Sequence, residues 1–185
     1  MDIQEAAVRK LAELKKITTE RAAKNPARYE KFSDRIKELI DKFNAGLLEA
    51  QETLDMAKKV AEGVATEDQA HRGTGLNERA FSIHAILEKF KPAEPPVAAE
   101  GEGEYNAGGE TPEPKLSAMQ EVAKAIDELY ASDESAPPHW QDKAQMKKGL
   151  RSAVRKLVRT LDLPGWKKDI PTEVEHYAVL HYSKP

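Results

Sequence analysis

A chain of 185 residues with a formal net charge of −3 is long enough for one domain, or for one domain carrying a long insertion, and too short for a large multidomain enzyme. Charged residues make up 33% and aromatics only 6%, with Ala, Leu, Glu and Lys recurring throughout, a composition that favours helices over a sheet sandwich and predicts an all-α helical bundle of about five to seven helices. A pI near 6.0 argues against a protein that coats DNA through net charge, while leaving room for a local basic patch, and the lack of cysteine excludes a disulfide framework, a thiolate nucleophile and a Cys-based zinc site.

The first segment, MDIQEAAVRKLAELKK, has no apolar leader, and no run in the chain is apolar enough to cross a bilayer. A soluble cytoplasmic protein with no membrane contact is the expectation. The chain opens directly into amphipathic helix without a capping turn, as at a fragment boundary. Ile3, Ala7, Leu11, Leu14 and Ile17 recur at three- and four-residue spacing and form one stripe. The next helix starts at Asn25, which can cap free amides, with Pro26 in the first turn where its missing N–H costs nothing. Tyr29, Phe32, Ile36, Leu39, Ile40, Phe43 and Leu47 keep the period, and Leu54, Ala57 and Val60 continue it toward Gly63, with Gly46 as a local interruption.

Thr66 to Gln69, TEDQ, matches a capping box that would start the next helix, carrying Leu76, Ala80, Phe81, Ile83, His84, Leu87 and Phe90. Residues 1–90 therefore read as helical hairpins. From 91 to 115 Pro, Gly and Glu dominate, the composition of a flexible, disordered acidic linker. Ser117 to Gln120 is a second capping-box pattern, followed by Met119, Val122, Ile126, Leu129 and Tyr130 on one face. Pro137 and Pro138 open a basic helix with Trp140, Ala144, Leu150, Val154, Leu157, Val158 and Leu161 on its apolar side, and LPGW ends it. A short helix from Thr172 closes the chain. Residues 116–185 are expected to pack with 1–90 as one domain.

No glycine is followed by Lys and no Pro-Asp dipeptide occurs. The phosphate-cradling P-loop and the usual entry to a Mg²⁺-binding nuclease motif are therefore missing. Glu173 with His176, and Asp68 with His71, have the i, i+3 spacing that can share a metal, but no facing glutamates are identified to complete a site. Solvent-facing residues are the reading for both pairs, and a helical metalloenzyme built on Glu173 and His176 is a distant alternative. His84 reads as a core or boundary histidine.

The basic helix carries more information. Arg151, Arg155 and Arg159 are spaced one turn apart, with Lys147 and Lys148 on the adjoining surface and Lys156 nearby, so their charges form a ridge opposite Leu150, Val154, Leu157 and Leu161. An acidic protein partner, DNA phosphates and plain solvent are all compatible with it, because Arg forks serve carboxylates and phosphates alike. Trp140 and Trp166 at its two ends read as core plugs first and as partner anchors second.

Three blocks, NPARYEKFSDRIKELIDKFNAGLLEAQETL, GLNERAFSIHAIL and HWQDKAQMKKGLRSAVRKLVRTLDLPGW, resemble in that order the C-terminal helical region of the R (restriction and motor) subunit of type I restriction-modification enzymes. The third carries most of the likeness, with Trp140, the Lys147–Leu161 helix and Pro164. The resemblance implies a fragment of an ATP-dependent endonuclease and DNA translocase whose nuclease and motor domains lie upstream. It further implies a non-catalytic role that joins the motor to the modification and specificity subunits. ATP and Mg²⁺ would belong to the full-length enzyme, with no cofactor in this fragment and no catalytic residue carried over. Expected interaction residues are Lys147, Lys148, Arg151, Arg155, Arg159, Trp140 and Trp166, toward the partner subunits or toward DNA.

Overall fold

The computed structural model describes residues 2–92 and 116–185; nearly all of the expected linker lies outside the described residues. Among the described residues the chain is all-helical, with seven α-helices and no strand. It divides into two compact units, Met1–Gly73 and Thr74–Pro185.

The first unit holds α1 (Ile3–Lys24), α2 (Pro26–Asn44) and α3 (Ala50–Gln69), each packed on the other two. Leu11 and Leu14 of α1, Ile36 and Leu39 of α2, and Ala57 and Val60 of α3 form its core, as the helical period requires. Ile3 and Leu47 are exceptions at 44% and 73% exposure. The α1 start is capped after all, because the Asp2 side chain accepts from the Gln4 amide at 3.5 Å. Asn25 ends α1, donating its amide to the Arg21 carbonyl, and begins α2 without a side-chain cap.

Gly46 terminates α2 instead of interrupting a longer helix. With φ +69 it occupies the left-handed region that favours glycine. The amide of Leu47 then reaches back to the Lys42 carbonyl at 2.9 Å, closing the helix end.

TEDQ starts nothing. Thr66 to Gln69 form the last turn of α3, where Glu67 and Asp68 hold the end of the bundle together. Arg28, 2% exposed, places its Nε 3.1 Å from Glu67 Oε1 and also donates to the Glu67 carbonyl, a cation set against a helix C-terminus. Tyr29 donates its hydroxyl to Asp68 at 2.6 Å, and Arg21 pairs with the same carboxylate. All three helices thus meet in one charge-assisted network, which satisfies the buried guanidinium.

The second unit holds α4 (Glu78–Glu88), α5 (Ala118–Ala131), α6 (Ala144–Val158) and α7 (Asp169–His181). The true cap of α4 is Asn77, whose side chain accepts from the Ala80 amide at 2.8 Å. The capping box at Ser117 and Gln120 forms in both directions. Packing places α4 on α5 and α7, and α6 on α5 and α7. Helix α4 therefore groups with the C-terminal helices and not with the N-terminal hairpins, because its buried face, Ala80, Ile83, Ile86 and Leu87, is matched by α5 and α7.

Candidate cationic interaction face

From Lys143 to Arg159 the sequence has seven cations and no carboxylate. Helix α6 turns Leu150, Val154 and Val158 into the core and leaves Lys148, Arg155 and Lys156 exposed, with Arg159 exposed in the 3-10 turn that follows. Lys148 and Arg159 are about 16 Å apart along the axis at the helical rise. Lys148, Lys156 and Arg159 have no partner among the described residues, so the exposed face is uncompensated locally although the chain is acidic overall.

The expected ridge is thinned by the fold. Arg151 is half-buried, with its Nε 3.0 Å from Glu175 Oε2 on α7, so its charge is largely balanced within the unit. Arg155 donates its Nε to the Lys167 carbonyl at 2.7 Å. That bond fixes its stem and occupies one of five N–H donors. Lys147 is half-buried; seven and eleven residues before Val154 and Val158, it falls in line with the buried stripe and not with Lys148.

The two tryptophans separate completely. Trp140 is 0% exposed, donates its indole N–H to the Tyr182 carbonyl at 3.1 Å and lies 5.2 Å from the Tyr130 ring. It is a core residue with no surface to offer a partner, which corrects its expected place in the interaction set. Trp166 is half-exposed in the turn after α6, with the Lys167 ammonium 5.4 Å from its ring centroid. It borders a cleft of about 490 Å³ together with Pro164, Lys167, Lys168 and Asp169. Asp162 at φ 49 and Gly165 at φ 77 shape this turn. A Cβ on Gly165 would stand 3.0 Å from Asp169 Oδ2 and 3.3 Å from the Phe90 ring, so the turn accepts only glycine without rearrangement.

Lys167 and Lys168 lie beyond the helical period of α6, so their only signal in the sequence is the pair of lysines directly after Trp166. Glu175 gave no signal, because its pairing with Arg151 joins residues 24 positions apart through the packing of α6 on α7.

The second unit also holds a polar cluster around the buried Asp127. Tyr182 donates its hydroxyl to Asp127 Oδ1 at 2.5 Å, and Asn77 donates to Oδ2 at 2.6 Å, with the Arg79 guanidinium 4.7 Å from the Tyr182 ring centroid. Burial, then the hydrogen bond to Asp127 and its charge, pushes the Tyr182 hydroxyl far above the ordinary tyrosine range. Burial does the same to Tyr130, reinforced by Glu175 and opposed by Arg151. Burial also lowers His84, against the pull of Glu88.

Of the residues weighed as metal ligands, Asp68 binds Arg21 and Tyr29, and Glu173 binds Lys89 at 3.0 Å. His176 is exposed. No group of three or more His, Asp or Glu among the described residues is arranged to hold a metal. No described helix is long and apolar enough to cross a membrane. No protein-family model, no curated protein and no solved structure matches the chain.

Proposed function

We propose that the chain is a non-catalytic helical assembly module, corresponding to the C-terminal region of a type I restriction R subunit. In this reading it docks that subunit onto the modification and specificity subunits of the methyltransferase core. The observation that carries the docking surface is the exposed face of Lys148, Arg155, Lys156 and Arg159 with no carboxylate between Lys143 and Arg159. Lys167, Lys168 and Trp166 extend it beyond the helix. Such a face attracts an acidic partner and gives both orientation and association rate, and the half-exposed Trp166 supplies an apolar anchor beside the charges. The assignment of the partner rests on the resemblance of the three sequence blocks.

The same lack of carboxylates favours a second reading, in which the face holds DNA phosphates while the motor translocates. A pull-down with purified modification and specificity subunits, with and without duplex DNA and across a salt series, separates the two. Docking predicts capture without DNA, reduced roughly tenfold in a Lys148→Glu/Arg159→Glu variant. These two positions have no partner among the described residues, so native helicity is expected to survive. Capture that requires DNA and falls steeply with salt would assign the face to phosphates. Capture indifferent to the double substitution would remove α6 as the docking surface.

A further inference from the structure

The first unit carries a second surface of different composition. On the outer seam between α2 and α3 is an open groove of about 310 Å³, floored by Phe32, Met56 and Val60 and bordered by Lys31, Arg35 and Lys59. Its floor is apolar and its border is wholly cationic. Phe32 can lie flush in the seam because α3 has glycine opposite it: a Cβ on Gly63 would come within 2.9 Å of Phe32 Cε1. The Lys31 ammonium sits 5.0 Å from the Phe32 ring centroid, so cation and apolar floor meet at one edge.

The border charges are available to a newcomer. Lys59 has no partner among the described residues. Lys31 shares Glu67 with the buried Arg28, and Arg35 shares Glu38 with Lys42. Lys31 and Arg35 are mostly exposed, at 62% and 54% of their side chains. The Arg35–Glu38 pair is exposed at both ends, so it contributes little and is exchanged cheaply for another carboxylate, while Lys31 keeps donors free beyond the one it gives to the largely buried Glu67.

We propose that this groove docks an acidic amphipathic helix from another polypeptide. The helix would set large apolar side chains against Phe32, Met56 and Val60 and its flanking Glu or Asp residues against Lys31, Arg35 and Lys59. The charge complementarity selects the partner's sign, and the apolar floor selects its face. An amphipathic helix presents anchors at i, i+3, i+4 and i+7 to such a seam, and the thioether of Met56 adapts to their shape. The groove is built from residues of the first unit alone, so this inference does not depend on the assembly role proposed above.

The test uses the full chain and a fluorescently labelled synthetic peptide with Leu and Trp at i, i+4 and i+7 and Glu on both flanks. Fluorescence anisotropy is expected to show saturable binding. Affinity should fall roughly tenfold for an Arg35→Glu/Lys59→Glu protein, and by a few-fold for Lys59→Gln alone, which leaves every pair among the described residues intact. It should be unchanged by Lys148→Glu/Arg159→Glu. A peptide of equal composition with scrambled spacing should bind roughly tenfold more weakly. Equal binding of the scrambled peptide, no binding at all, or indifference to both groove variants would overturn the proposal. A dimer of the chain itself, seen by light scattering and dispersed by Lys59→Gln, would also overturn it, by making a second copy the occupant.

Discussion

At the scale of single residues, the decisive difference lies between side chains that look alike in sequence and meet different surroundings. Trp140 and Trp166 bracket the same helix, yet one is sealed against Tyr130 and the other borders a cleft. Tyr182 shows what sealing does to a polar group. Its hydroxyl is held by the buried carboxylate of Asp127, and replacing it by Phe would deprive Asp127 of a charge-assisted bond while Asn77 remains. A loss of about 1–2 kcal/mol is expected in urea unfolding. The pH dependence has a definite sign. The folded-state pKa values of Tyr182 and Tyr130 are raised, so their stabilisation is complete below the ordinary tyrosine value of about 10 and is lost as pH rises above it. The urea midpoint should therefore decline above about pH 10, and decline less steeply in Tyr182→Phe; equal slopes would show that Tyr182 is not held protonated.

At the scale of elements, helix periodicity carried most of the information and helix ends carried less. The stripe Leu11, Leu14, Ile36, Leu39, Ala57 and Val60 was readable because one helical face must leave water, and it did. Ser117 with Gln120 and Thr66 with Gln69 had equal standing as capping boxes, since both patterns need only local side chains. Only the first caps a helix. The second is occupied by α3, whose carboxylates are drawn to Arg28, Arg21 and Tyr29 across the bundle, so tertiary ion pairs overrode a local signal. This contrast is measurable. Asn77→Ala removes the true α4 cap and a donor to Asp127, and should cost about 1–2 kcal/mol in chemical denaturation. Thr66→Ala, at an exposed helical position, should stay within about 0.5 kcal/mol. If Thr66→Ala were the more damaging of the two, the assignment of the α4 start would be wrong.

At the scale of the whole molecule, charge is arranged against its own sum. The chain is acidic by 3 units, while the segment from Lys143 to Arg159 carries seven cations and no carboxylate, with the exposed Asp142, Asp162 and Asp169 confined to its flanks. Long-range attraction to a polyanion is therefore weak, and short-range attraction to a matched carboxylate surface is retained, because salt screens the first more than the second. On the docking reading, duplex DNA should not be retained by the chain in an electrophoretic shift at physiological salt. Retention there, with a steep logarithmic salt slope, would move the assignment to phosphate binding. The two compact units carry the two proposed surfaces separately, α6 in the second and the Phe32 groove in the first. Each can thus be altered without touching the core residues of the other.

The sequence by itself determined the helical class, the buried stripes and the concentration of cations between Lys143 and Arg159, because these depend on composition and on a 3.6-residue period that any helix imposes. Tertiary structure alone decided which of those cations stay exposed. Glu175 reaches Arg151 only through the packing of α7 on α6, Lys167 meets Arg155 only through the turn at Gly165, and α4 joins α5 and α7 only because their apolar faces match. Such pairings join residues distant in the chain, and a pattern that records neighbours along one helix holds no trace of the partner across from it.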